Sequence, residues 1–127
     1  MDAQELKLGN LIKISPRENE EGVLFLIDIQ SSSIIGEMLV PRQGYHFRIK
    51  YDEILPLEVT ADWLKRLGFT DQGNDIWTDA KNFVEFKFSP LESGFLENGA
   101  LAVVISSVHQ LQNTYFTLTG ELLTVTS

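Results

Sequence analysis

The chain has 127 residues, no cysteine, and 18 acidic against 10 basic side chains, a formal net charge of -8. That length fits one domain, or two small ones sharing a core, and the apolar content is too high for a disordered chain. Without cysteine there is no disulfide, thiolate metal site or cysteine nucleophile, and the acidic balance opposes general affinity for nucleic acid or anionic membrane.

From the N-terminus, Leu6, Leu8, Leu11, Ile12 and Ile14 flank Gly9-Asn10, a pair suited to a bend or bulge. PRENEEG reads as a polar loop. Val23–Ile29 is an apolar run broken only by Asp28, long enough for a buried strand and short for a helix. Ser31-Ser32-Ser33 is a turn signal, and Ile34–Val40 a weaker strand interrupted by Gly36. Tyr45–Tyr51 then alternates cleanly, with Tyr45, Phe47, Ile49 and Tyr51 on one face and His46, Arg48 and Lys50 on the other. Near Pro56 the period changes. Thr60 is placed to cap a helix over 60–67 whose buried face is Trp63, Leu64 and Leu67, with Gly68 as its left-handed stop. Strand signals follow at Ile76–Thr78 and Phe83–Phe88, with 79–82 as the turn between them. A hairpin across Asn98-Gly99 leads into Leu101–Ile105. Ser107 with Gln110 makes a capping box for a second helix that Gly120 ends.

These elements predict an α+β protein: a small bent N-terminal β-sheet or SH3-like barrel (1–56) packed on an antiparallel sheet with two short helices (57–127), together one compact unit. The charge is spread over both parts, -3 in residues 1–56 and -5 in residues 57–127. No apolar run nears the roughly 20 residues of a spanning helix, and the opening MDAQELKLGN has no signal-peptide core, so a soluble cytoplasmic protein without membrane contact is expected.

Three stretches, LKLGNLI, ILPLEVTADWLKRLGF and HQLQNTYFTLTGELL, together resemble an uncharacterised protein family of Bacteroidetes bacteria and their prophages. That family shows a Leu-x-x-Gly-Asn opening, a Pro-leading "LT-x-x-WL-x-x-x-GF" helix and a closing "HQLQNLYFALTGEEL" segment. This chain departs from it at Val59, where Leu is usual, at Thr114 and Thr117, where Leu and Ala are favoured, and at Leu122 in place of Glu. The resemblance spans both ends of the chain. It implies a Bacteroidetes or mobile-element context and brings no activity with it.

Three groups of residues compete for a functional role. On the second helix, Val108, Leu111, Tyr115 and Leu118 form a core stripe, and His109, Gln112 and Phe116 form another that can present two polar groups and a stacking wall to a small ligand. The competing reading is that the polar pair is partly buried and satisfied by backbone carbonyls. The second group is the basic strand face of His46, Arg48 and Lys50, with Arg42 nearby. It is a candidate contact for an acidic partner or, weakly and with strong salt dependence, for a nucleic-acid backbone. A plain solvated sheet face paired with Glu37, Asp52 or Glu53 is the alternative. The third is Phe83, which alternates with Glu85 and Lys87 opposite Val84, Phe86 and Phe88 and is therefore a candidate partner contact. Trp63, Trp77 and the remaining phenylalanines read as core.

Catalytic and metal motifs are missing from the sequence. His46 and His109 stand alone, with no H-x-x-x-H spacing. Asp71, Asp75 and Asp79 read as solvated turn acids without the Glu of an EF-hand. Ser106-Ser107 has no Gly-x-Ser-x-Gly context, and Gly94 and Gly99 read as hairpin glycines. No metal or cofactor is expected. The leading expectation is a non-enzymatic interaction or adaptor protein with an unidentified protein partner. A nucleic-acid module using the basic strand, and a ligand binder or enzyme with a cleft near His109, are the alternatives.

Overall fold

The computed structural model describes residues 3–17, 20–41, 43–81, 84–88, 94–99 and 101–125. The chain divides into two compact units, Met1–Leu57 and Glu58–Ser127. The architecture is α+β, with one antiparallel sheet in each unit and two α-helices in the second.

In the first unit β1 (Leu11–Arg17), β2 (Glu20–Ile29), β3 (Ser33–Val40) and β4 (His46–Lys50) follow one another as an antiparallel meander. Alternation puts Ile12 and Ile14, Leu24 and Leu26, and Ile34 on one side of the sheet. There they form a buried cluster with Leu6 and Ile54, and Ile49 and Tyr51 pack against it. Burying a side chain of this size contributes roughly 1.5–3 kcal/mol. Of the two forms expected, the structure shows the open sheet: the strand order runs β1-β2-β3-β4 with no closed barrel among the described residues, and a single bridge, Lys13 to Leu55, joins β1 to the segment after β4.

Two local expectations change. PRENEEG is not simply a loop, since β1 runs through Pro16 and Arg17 and β2 starts at Glu20. A register shift between Ile14 and Arg17 carries the ladder on to the Arg17–Glu20 pair, because backbone pairing does not depend on side-chain polarity. Gly36 does not interrupt β3. It is where β3 passes against the core, and a Cβ there would stand 3.0 Å from Leu24 Cβ.

In the second unit α1 (Ala61–Arg66) starts as the sequence predicts, with the Trp63 N–H donating to Thr60 Oγ1 at 3.2 Å. Gly68 follows it at φ +93. Arg66 pairs with Asp62 at 3.2 Å, and its guanidinium lies 4.9 Å from the Trp63 ring centroid. The sheet has five strands in sequence order, β5 (Thr70–Gly73), β6 (Ile76–Thr78), β7 (Glu85–Lys87), β8 (Gly94–Asn98) and β9 (Leu101–Ile105). β5 carries no strand signal in the sequence. All four of its residues are exposed, so no apolar pattern marks it. Asn74 (φ 56) and Asp75 (φ 63) form the tight turn that pairs it with β6.

Gly94 is not a hairpin residue; it opens β8 at φ +153, buried against β7. The hairpin expected at Asn98-Gly99 is present, with Asn98 opposite Leu101. The second helix, α2 (Val108–Thr119), packs on β8 and β9 and ends at Gly120, φ 76. Among the described residues no helix is long and apolar enough to cross a membrane.

Candidate functional site

β4 lies at the end of its sheet, with β3 on one side and no strand on the other among the described residues. The opposite edge is covered: Lys13 of β1 and Leu55 exchange two backbone hydrogen bonds, at 3.0 and 2.8 Å. The parity of β4 follows from one bond. Met38 N–H donates to Tyr45 O at 2.7 Å, so 38/45 is a hydrogen-bonded pair. In an antiparallel ladder such pairs alternate, and the register makes 36/47 and 34/49 the next ones. His46, Arg48 and Lys50 therefore turn their N–H and C=O groups away from β3, towards the open edge. Lys50 bears this out, since its N–H donates to Glu53 Oε1 at 3.2 Å. The N–H groups of His46 and Arg48 have no acceptor among the described residues.

The side chains of this edge differ between its faces. His46, Arg48 and Lys50 are exposed on one face. His46 Nε2 lies 3.4 Å from Glu37 Oε1, an exposed pair that contributes little to stability. Arg48 Nη1 donates to Ser33 Oγ at 3.0 Å and to Gln30 Oε1. Neither Arg48 nor Lys50 has a carboxylate within ion-pair distance among the described residues. On the other face the apolar side chains outrun the core: Phe47 is 38% exposed and Tyr45 54%. Arg42 and Phe83 lie outside the described residues, so their candidate roles are not placed by the structure.

The α2 candidates are arranged differently. His109 and Gln112 are buried, and Phe116 is 42% exposed. Gln112 Nε2 donates to Leu123 O at 3.0 Å, which ties the segment after α2 back to the helix. His109 Nδ1 is hydrogen-bonded to Ser107 Oγ at 3.1 Å. Those are the atoms of a nucleophile–base pair, yet Ser107 and His109 are only 3% and 6% exposed. Ser107 Oγ also accepts from the Gln110 N–H as the helix cap. The Gln110 side chain reaches back to Ser106 N–H instead of completing the box on Ser107. This cluster builds the helix start.

One further polar pair, Asp79 and Tyr115, is joined by the fold. Asp79 is not a solvated turn acid; it is buried, with Oδ2 accepting from the Tyr115 hydroxyl at 2.6 Å and Oδ1 from the Val84 N–H at 3.2 Å. Asp71 and Asp75 are exposed, and Asp71 Oδ1 accepts from Gly73 N–H within its turn. Burial, then the bond to Asp79, pushes the Tyr115 phenol well above its ordinary range. The only trace of this pair in the sequence is that a tyrosine on a core stripe needs a partner for its hydroxyl. Among the described residues no group of three or more His, Asp or Glu is placed to hold a metal ion. Compared with known proteins, the chain matches no family model, no curated protein and no solved structure.

Proposed function

We propose that this is a non-enzymatic, cytoplasmic protein-interaction module that takes up an extended segment of a partner as a further strand on β4. The supporting observation is the open edge. Two residues, His46 and Arg48, turn unpaired backbone groups outward, and the flanking side chains are exposed on both faces of the strand. Main-chain pairing at such an edge supplies affinity, and alternate side chains supply selectivity. The enclosed Ser107–His109 and Asp79–Tyr115 pairs act inside the fold, which favours binding over catalysis.

The test is capture from lysate of the native host with wild type, Arg48→Pro and Ala102→Pro. Proline at position 48 deletes an outward N–H, together with the Arg48 side-chain bonds to Ser33 and Gln30, and leaves the β3–β4 ladder bonds in place. Ala102 is the matching position on the other sheet. Asn98 and Leu101 close a two-residue loop, so Leu101, Val103 and Ile105 bond to β8 and Ala102 faces outward. A protein recovered by wild type and by Ala102→Pro, and lost with Arg48→Pro, is the expected result. No recovery, recovery indifferent to Arg48→Pro, or recovery of nucleic acid alone contradicts the proposal.

A further inference from the structure

We infer that the segment taken up by β4 is acidic at alternate positions and apolar at the positions between them. This rests on the edge reading above and deepens it. In an antiparallel sheet, residues directly opposite each other on neighbouring strands share a face. A strand added beside β4 therefore meets His46, Arg48 and Lys50 with one set of alternate side chains, and Phe47 and Ile49 with the other.

The first set faces His46, which lies beside Glu37, and two cations that have no carboxylate partner among the described residues. Arg48 is held by the neutral groups Ser33 and Gln30, and the Lys50 ammonium has no carboxylate partner among the described residues. On a chain of net charge -8, Arg48 and Lys50 stand as two unneutralised cations on one strand face, with the Glu37 and Glu53 carboxylates at its ends, and an acidic segment gains most where it meets the two cations. The second set faces Phe47, a third exposed with no further strand to cover it, so apolar side chains gain by covering its ring. Other sheet edges lack this chemistry. β9 (LAVVI) is uncharged, and β5 (TDQG) carries an acid.

The experiment uses the full chain and three synthetic peptides of equal length, alternating Glu/Val, Gln/Val and Lys/Val, followed by fluorescence anisotropy. Glu/Val should bind roughly five- to tenfold more tightly than Gln/Val, and Lys/Val least, with the difference collapsing as ionic strength rises from about 0.05 to about 0.5 M. Lys50→Gln, which breaks no hydrogen bond among the described residues, should remove part of the preference. Arg48→Gln with Lys50→Gln should remove it and leave Gln/Val binding in place. Equal binding of Glu/Val and Gln/Val overturns the acidic inference and leaves the open-edge reading standing, whereas no binding of any peptide overturns both. A preference that survives the double substitution, or tighter binding of oligothymidylate than of Glu/Val, overturns the inference as well.

Discussion

Replacing Tyr115 with phenylalanine isolates one buried hydrogen bond in the second unit. The ring and its edge-on contact with Phe69, 6.3 Å between centroids, are kept, and only the hydroxyl that donates to Asp79 Oδ2 at 2.6 Å is lost. Asp79 is 4% exposed, so solvent does not replace the donor, and its carboxylate is left with the Val84 N–H alone. Hydrogen bonds to carboxylates are worth about 1.5–3 kcal/mol, and a buried carboxylate that keeps only one of two donors lies towards the upper end, so a loss of about 2.5 kcal/mol is expected. With an unfolding entropy near 2.1 cal/mol/K per residue over the second unit, Glu58–Ser127, that unit should melt roughly 17 °C lower. The same phenol gives a pH signature. In the folded chain it is held protonated above its ordinary value, and in the unfolded chain it ionises near pH 10. Above about pH 10 the unfolded state binds fewer protons than the folded one, so stability falls as pH rises, by at most about 1.4 kcal/mol per unit. Urea denaturation at about pH 9 and about pH 11 should show that fall in wild type and its reduction in Tyr115→Phe. A substitution costing under about 0.5 kcal/mol, with an unchanged pH dependence, would refute the assignment of this pair as a buried structural bond.

Three further substitutions probe the elements that hold the candidate surfaces. Gly94→Ala places a Cβ 2.2 Å from Lys87 O and 2.7 Å from Phe86 Cζ at a positive φ, and a loss of about 3 kcal/mol in chemical denaturation is expected; a neutral effect contradicts the close β7–β8 approach. Gln112→Ala removes the donor to Leu123 O and should cost about 2 kcal/mol and expose the last residues to limited proteolysis. An unchanged cleavage pattern would mean that the tie does not hold that segment. His109→Ala should lower the melting temperature by several degrees, about 1–2 kcal/mol, and leave peptide binding at β4 unchanged. An unaltered melting point with loss of a bound ligand would restore the ligand-site reading of α2.

What the residues reveal by themselves is local. Thr60, Ser107, Gly68 and Gly120 mark helix ends because a cap is a contact within one turn, and all four sit where the structure uses them. The alternation from Tyr45 to Tyr51 likewise marks a strand and its two faces. The features that make a site are not local. Alternation tells which side chains share a face, but not that β4 is last in its sheet or that His46 and Arg48 turn their backbone groups outward; strand order and pairing parity set those. Asp79 looks like a turn acid because the tyrosine that buries it lies 36 residues away. β5 is invisible to an apolar pattern because all its side chains are wet, and its pairing comes from the positive-φ turn at Asn74 and Asp75.

The open β4 edge is tested most directly by amide hydrogen exchange of the full chain, followed residue by residue by NMR with and without the alternating Glu/Val peptide. Added-strand pairing should slow exchange at His46 and Arg48, whose N–H groups face outward, while Phe47 and Ile49, already bonded to β3, change little. Peptide binding that leaves the His46 and Arg48 amides exchanging at their free rates would contradict it.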